Sequence, residues 1–330
     1  MELIAELGQI HDGSHGEAEK MVEALLKTNV STIKFQHHLA DSESSDKEKF
    51  RVSFSRQDST RQSYWKRMEL PIEFLRDVKI EIESRGKKFL CTPFCLEAVD
   101  QLESIGVDRY KIGSADAGNP ILLKYISETK KPVIISNGFR DMVAIEQAIE
   151  CLALPLDKIS LLHCTTAYPT PLNAVDLGQI QVLKNFNVHS VGLSDHSGSI
   201  WPLLFSAAYG AQIGEFHVCW DRRQFAPDAA SSLEIREIDL LTQGIDSFYE
   251  TRMKTPDNIL ESVNNTKKVF TRSVRLRNDL VSGSKLRLKD LETFKPGGEG
   301  LSPSEVMLLI GKTVSANLKV GHVVKGCEFE

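Results

Sequence analysis

Eight short apolar runs recur along the first two-thirds of this chain, and a helix-patterned stretch follows each one. The runs are "LIAEL" (3–7), "TIKFQ" (32–36), "KFLCTP" (88–93), "RYKIG" (109–113), "PVIISN" (132–137), "SLLHCT" (160–165), "VGLSD" (191–195) and "GEFHV" (214–218). Apolar residues at helical spacing fill 16–28, 71–85, 97–105, 120–129, 141–152, 175–185, 200–209 and 232–250. In the last of these, "SSLEIREIDLL" places a serine three residues before a carboxylate, a helix-start signal. Strand–helix alternation builds either an open doubly wound sheet or a closed barrel. Two features favour an α/β fold of the (β/α)8 type. The count is eight, and "GQIHDGSHG" after the first strand lacks the glycine spacing of a dinucleotide loop.

The strands also share a chemical bias, since each begins apolar and ends polar. Glu6, Lys34, Gln36, Thr92, Lys111, Ser136, Asn137, His163, Thr165, Asp195 and His196 all fall at or just past C-terminal ends. In a barrel that rim carries the active site. "GEFHVCWD" sharpens the point. Strand side chains alternate, so Glu215 and His217 share one face while Phe216 and Val218 take the other.

Two segments depart from the alternation. After the second strand, 41–68 is a polar excursion far longer than an ordinary connection of ~2–6 residues. It reads equally as a disordered loop or as a flap over the barrel mouth. Beyond residue 250 the pattern changes. The expected organisation is a barrel over 1–250, a linker over 251–268 and a small β-rich unit over 269–330 with short alternating stretches such as "KTVSANLKVGHVV".

Composition bounds the function class. A hydrophobic fraction of 41%, a charged fraction of 26% and a net charge of −5 without a long basic run are ordinary for a soluble protein. They argue against nucleic acid as the main partner. No signal-peptide pattern and no apolar run of ~20 residues is evident, so a cytoplasmic protein without membrane spans is expected. The six scattered cysteines lack paired metal-ligand spacing and read as reduced thiols.

At the rim, His196 and His217 end neighbouring strands ~4.8 Å apart and could share a divalent ion. A hydrogen-bonded histidine pair is the plainer alternative. Flanking carboxylates, Asp195 and Glu215, could fix the imidazoles or act as bases. Lys34 and Lys111 end separate strands, with Thr92, Ser114, Ser136 and Thr166 supplying hydroxyls. Two ammonium groups among hydroxyls suit a phosphate dianion.

In this order, "IAELGQIHDG", "IKFQ", "CTPF", "YKIGS", "HCTTAYPTP", "GLSDHSG" and "GEFHV" resemble the sialic acid synthase family. "TRSVRLRNDLVSGSKLRLKDLETFKPGGEGLS" resembles its C-terminal antifreeze-like (SAF) domain. The resemblance implies a (β/α)8 barrel followed by an SAF domain. It also implies a synthase that condenses phosphoenolpyruvate with an N-acetylated hexosamine, giving a nine-carbon 2-keto acid and phosphate. It places the metal ligands on His196 and His217, with Mn²⁺ expected and Mg²⁺ or Co²⁺ as substitutes. Phosphoenolpyruvate contacts fall on Lys34, Thr92, Lys111, Ser114, Ser136 and Thr166. Glu6 and Glu215 match the family's glutamates, and together with Lys34 and Lys111 they form the expected catalytic set. Sugar contacts fall on Gln36, Tyr168, Asp228 and, across a domain-swapped homodimer, the partner subunit's Lys295.

The departures concern the sugar. Ile10 and Thr166 stand where the best-known members have asparagine, Asn137 falls within an altered strand end, and Lys295 replaces an arginine. Lysine lacks arginine's planar bidentate fork. The expected sugar is therefore N-acetylmannosamine or a 2,4-diacetamido trideoxy sugar of the legionaminic or pseudaminic type. The alternatives are a metal-dependent barrel aldolase or hydrolase acting on another sugar, and a non-catalytic carbohydrate-binding protein.

Overall fold

A computed structural model describes residues 1–50, 57–138, 142–253 and 256–330. Residues 51–56, 139–141 and 254–255, which fall in the excursion, the fifth strand–helix connection and the expected linker, lie outside the described residues. The chain divides into two units, Met1–Thr251 and Arg252–Glu330.

In the larger unit the eight apolar runs are strands β1 (Glu2–Glu6), β2 (Thr32–His37), β3 (Lys88–Pro93), β4 (Tyr110–Ile112), β5 (Val133–Asn137), β6 (Ile159–Cys164), β7 (Ser190–Asp195) and β8 (Ile213–Cys219). All pair in parallel and in chain order, and β8 closes on β1. The chain is a (β/α)8 barrel. Its interior alternates as the pleat demands. Ile4, Leu90, Ile134, Leu162 and Ile213 form a small inner core low in the barrel. The next inward positions along the same strands are Glu6, Thr92, Ser136, Cys164 and Glu215. The outward set, including Phe35, Phe89, Ile135, Leu161 and Phe216, joins the large core beneath the helices.

The helices follow from spacing and caps. His15–Leu26 buries Ala18, Met21, Val22 and Leu25, three and four residues apart, and Ser14 accepts a hydrogen bond from the Glu17 N–H at 3.2 Å. Such a cap contributes about 1 kcal/mol. The last barrel helix begins at Ile235, later than the serine signal suggests. Leu233–Glu234 first pairs with Val218–Cys219 as a short strand, and Glu237 accepts from the Glu234 N–H at 2.8 Å.

Parts of the excursion after β2 are ordered. It contains helices Ala40–Glu43 and Arg61–Met68, and Ala40, Tyr64, Trp65 and Met68 make a separate buried cluster. Thr60 caps the second helix by exchanging hydrogen bonds with Ser63. All six cysteines are free thiols, with Cys91, Cys164 and Cys219 buried.

The smaller unit pairs Ser273–Leu276 antiparallel with Leu291–Phe294 around a compact core that includes Val274, Leu276, Leu286, Val314 and Val324. Most of the segment read as a linker is the helix Asp257–Phe270, which buries none of its residues. Its apolar residues are periodic, but Asn264, Asn265 and Thr266 interrupt them with poor helix formers, which masked the helix in the sequence.

Candidate active site

Strand register decides which polar ends meet. Glu6 is level with Lys34 on one side and with His217 on the other. Gln36 is level with Thr92, and Ser194 with Glu215. These residues share the inward parity of the small core and come together above it. Asn137 and His163 are level with each other on the opposite parity. They line neither cavity described below, so these two rim residues do not join the site.

The rim encloses two connected spaces. The inner one, of ≈ 220 Å³, is lined by Glu6, Lys34, Thr92, Lys111, Ser114 and Ser136, and further round by Thr166, His196, Glu215 and Cys164. The outer one, of ≈ 420 Å³, is lined by Gln9, His38, Glu43, Glu48, Arg61, Trp65 and Asp228. Gln36, Phe94, Asp116, Tyr168 and His217 border both. All the barrel residues that the family resemblance assigns therefore line one or both spaces, whereas Thr165 and Asp195 of the strand-end set, like Asn137 and His163, line neither. Lys295 lies in the smaller unit, exposed, with its Nζ 5.1 Å from the Phe270 ring centroid.

Charge in the inner space is arranged around Glu215. Its Oε1 lies 3.5 Å from the Nζ of Lys34 and 3.5 Å from that of Lys111, and accepts from Ser194 Oγ at 3.2 Å. Lys34 also contacts Glu6 directly, while Lys111 donates to Ser136 Oγ at 2.7 Å. Burial pushes the Glu215 carboxyl up, but Lys111 and Lys34 outweigh it and hold the group down to about 2. Burial drives Lys34 down to about 8 against the pull of Glu215. Two ammonium groups facing a set of hydroxyls can accept a phosphate dianion once it displaces part of this ion pairing.

At the junction of the two spaces the His196 and His217 rings lie 5.4 Å apart, centroid to centroid, and Tyr168 packs on His196 at 4.3 Å. Burial, then repulsion from His217, drives His196 well below the usual imidazole value, leaving it neutral and able to ligate. Gly8, at φ +53°, approaches so closely that a Cβ there would sit 2.9 Å from His217 Nδ1. The donor set fits a divalent ion with two imidazole ligands. Among the described residues no group of three or more His, Cys, Asp or Glu is placed to hold a metal ion, so further ligands would be oxygens of substrate or water. Asp195 does not orient an imidazole as expected. Its Oδ2 accepts from the Ser197 N–H at 3.0 Å and from Ser197 Oγ at 2.6 Å, fixing the turn after β7.

The outer wall was mostly hidden in the sequence. His38, Glu43, Glu48, Arg61 and Trp65 belong to the excursion or its entry, where no strand or helix period marks them. The doublet His37–His38 directly after Lys34 and Gln36 was the available signal.

A family model described as the NeuB family matches residues 21–255. The chain is 29% identical over 329 residues to an N,N'-diacetyllegionaminic acid synthase of Campylobacter jejuni, covering 98% of each. It is 31% identical to the N,N'-diacetyllegionaminic acid synthase of Legionella pneumophila, covering 97% of this chain and 92% of that one. Among solved structures, the N-acetylneuraminic acid (sialic acid) synthetase of Leptospira borgpetersenii in complex with citrate matches with a TM-score of 0.67. That match has 26% identity and covers 80% of this chain and 90% of the other.

Proposed function

The chain belongs to the NeuB, or sialic acid synthase, family, and on that premise we propose that it is a nonulosonic acid synthase. It joins phosphoenolpyruvate to an open-chain acetamido sugar, giving a nine-carbon 2-keto acid and inorganic phosphate. The observation that carries this reading is the inner space, with Lys34 and Lys111 around Glu215, hydroxyls opposite, and two imidazoles at its outer edge.

Phosphoenolpyruvate takes the inner space. Its phosphate and carboxylate are met by Lys34 and Lys111 and by the hydroxyls of Thr92, Ser114, Ser136 and Thr166. The sugar takes the outer space against Gln36, Tyr168 and Asp228, with its aldehyde at the histidines. His196 and His217 would hold a divalent ion, Mn²⁺ in this assignment, which supplies Lewis acidity at the aldehyde oxygen when bound. C3 of phosphoenolpyruvate forms the new bond to the aldehyde carbon, and positive charge develops at C2. The anionic Glu215 lies beside that carbon's site and stabilises the charge. Glu6, whose Oε1 accepts from the Gly8 N–H at 2.8 Å, is oriented to take a proton from the water that adds at C2. The tetrahedral adduct then breaks its C–O bond and releases phosphate.

The finer assembly belongs to the same proposal. A domain-swapped homodimer would bring the partner subunit's Lys295 to the sugar. The helix Asp257–Phe270 supports association, since Ile259, Leu260, Val263 and Phe270 are all exposed on it. No helix among the described residues is long and apolar enough to cross a membrane.

The test is phosphate release from phosphoenolpyruvate with a panel of acetamido sugars and Mn²⁺, and mass spectrometry of the products. Release is expected only with sugar and divalent ion together. Equal release without sugar would overturn the reading.

A further inference from the structure

His196 has two ring nitrogens, and the protein engages one of them. Cys164 ends β6 with inward parity, level with Ser194 on β7, and His196 follows two residues beyond that serine. The Cys164 Sγ lies 3.6 Å from His196 Nδ1, with both side chains buried. Tyr168 packs on the same ring at 4.3 Å between centroids, so the imidazole is held both on a face and at an edge. Among the described residues Nε2 has no hydrogen-bond partner, and it is not sealed from the inner space that His196 lines. Nε2 is the nitrogen left open to an ion.

A neutral imidazole keeps one proton, and the partner of one nitrogen decides which nitrogen carries it. An ion at Nε2 requires that proton on Nδ1, where a buried N–H without an acceptor is costly. We propose that Cys164 is a positioning residue for the metal ligand: its sulfur accepts from His196 Nδ1–H and so presents the Nε2 lone pair to the divalent ion. This rests on the metal assignment of the synthase reading and not on its sugar. The neighbouring carboxylate, Asp195, is engaged by Ser197. The thiol thus takes the place that a carboxylate or carbonyl commonly holds behind a ligating histidine. Cys164 is not itself a ligand, because with His196 and His217 it does not make a group placed to hold an ion.

The experiment measures Mn²⁺ dissociation constants of the full-length protein without substrates, from the electron paramagnetic resonance signal of free Mn²⁺. Sulfur is a weak acceptor, so Cys164→Ala should raise the constant about tenfold, the lower end of the range for such partners. Cys164→Val fills the space but accepts nothing, and should lose as much as Cys164→Ala. Cys164→Ser keeps an acceptor and should recover most of the loss. Should Cys164→Ala fail to fold, the valine and serine variants carry the comparison. Equal constants in wild type and all variants overturn the proposal. So does a constant for Cys164→Ser as weak as that of Cys164→Ala, or a loss that Cys164→Val restores, which would make Cys164 a packing residue. A sulfur-to-metal charge-transfer band with Co²⁺ in the wild type overturns it too, by making Cys164 a ligand. A wild type that binds no Mn²⁺ overturns it together with the metal assignment. Absence of phosphate release with every sugar removes the synthase reading and leaves the binding comparison to decide the role of Cys164.

Discussion

Lys34 sits where binding and proton equilibrium oppose each other. In the proposed reaction its ammonium meets the incoming dianion, yet burial brings its pKa down to about 8, below the ordinary lysine value of 10.5. As pH rises through about 8, the unliganded site loses a positive charge beside Glu215. The expected outcome is that kcat/KM for phosphoenolpyruvate falls about tenfold per pH unit above that point. Stability moves the other way. Between pH 8 and 10.5 the unfolded chain keeps the Lys34 proton that the folded chain has released, so unfolding takes up a proton and this group favours the fold increasingly as pH rises. A pH–rate profile with melting curves at the same pH values separates the two effects. An activity loss that tracks melting would refute the assignment to Lys34.

Among the elements, β7 and β8 carry the site most directly, and their closeness depends on Gly192. A Cβ at this position would lie 2.0 Å from the carbonyl oxygen of Ile213, a backbone atom with no room to yield. Gly192→Ala should therefore cost about 3 kcal/mol or more, or abolish soluble expression. Thermal melting checks this, and a melting temperature within a degree or two of wild type would contradict it. The same strands show why much of the site was legible from sequence. Period-two alternation assigned Glu215 and His217 to one face, and parallel pairing in chain order needs no turn chemistry to fix their neighbours. The same rule, applied to strand ends without tracking parity, wrongly included Asn137 and His163. Glu43 and Trp65 were illegible for a different reason. They sit in short helices of an irregular excursion, held by the stacked histidine His38, and no local period predicts such a contact.

At the scale of the molecule, the question is whether one chain contains a complete site. Within the barrel the outer space is lined by Glu43, Glu48, Asp116 and Asp228, with Arg61 the one lysine or arginine among its described lining residues. In the proposed dimer the partner subunit's Lys295 supplies a further ammonium for the sugar. This arrangement makes a prediction that no single-chain site can meet. His217→Ala disables the barrel that contains it, and Lys295→Ala disables the barrel of the opposite subunit. Each variant alone should be weak, the first in turnover and the second by about 10- to 100-fold in sugar KM. In a mixed dimer, the barrel of the Lys295→Ala chain keeps His217 and receives an intact lysine from the other subunit. Random pairing at equal amounts makes half the dimers mixed, each with one whole site of two, so about a quarter of wild-type activity should return in the whole mixture and about half in the mixed dimers alone. Co-expression with two affinity tags and assay of the doubly tagged species checks this directly. Activity of that species no greater than the mean of the two single variants would show that Lys295 acts within its own chain or not at all.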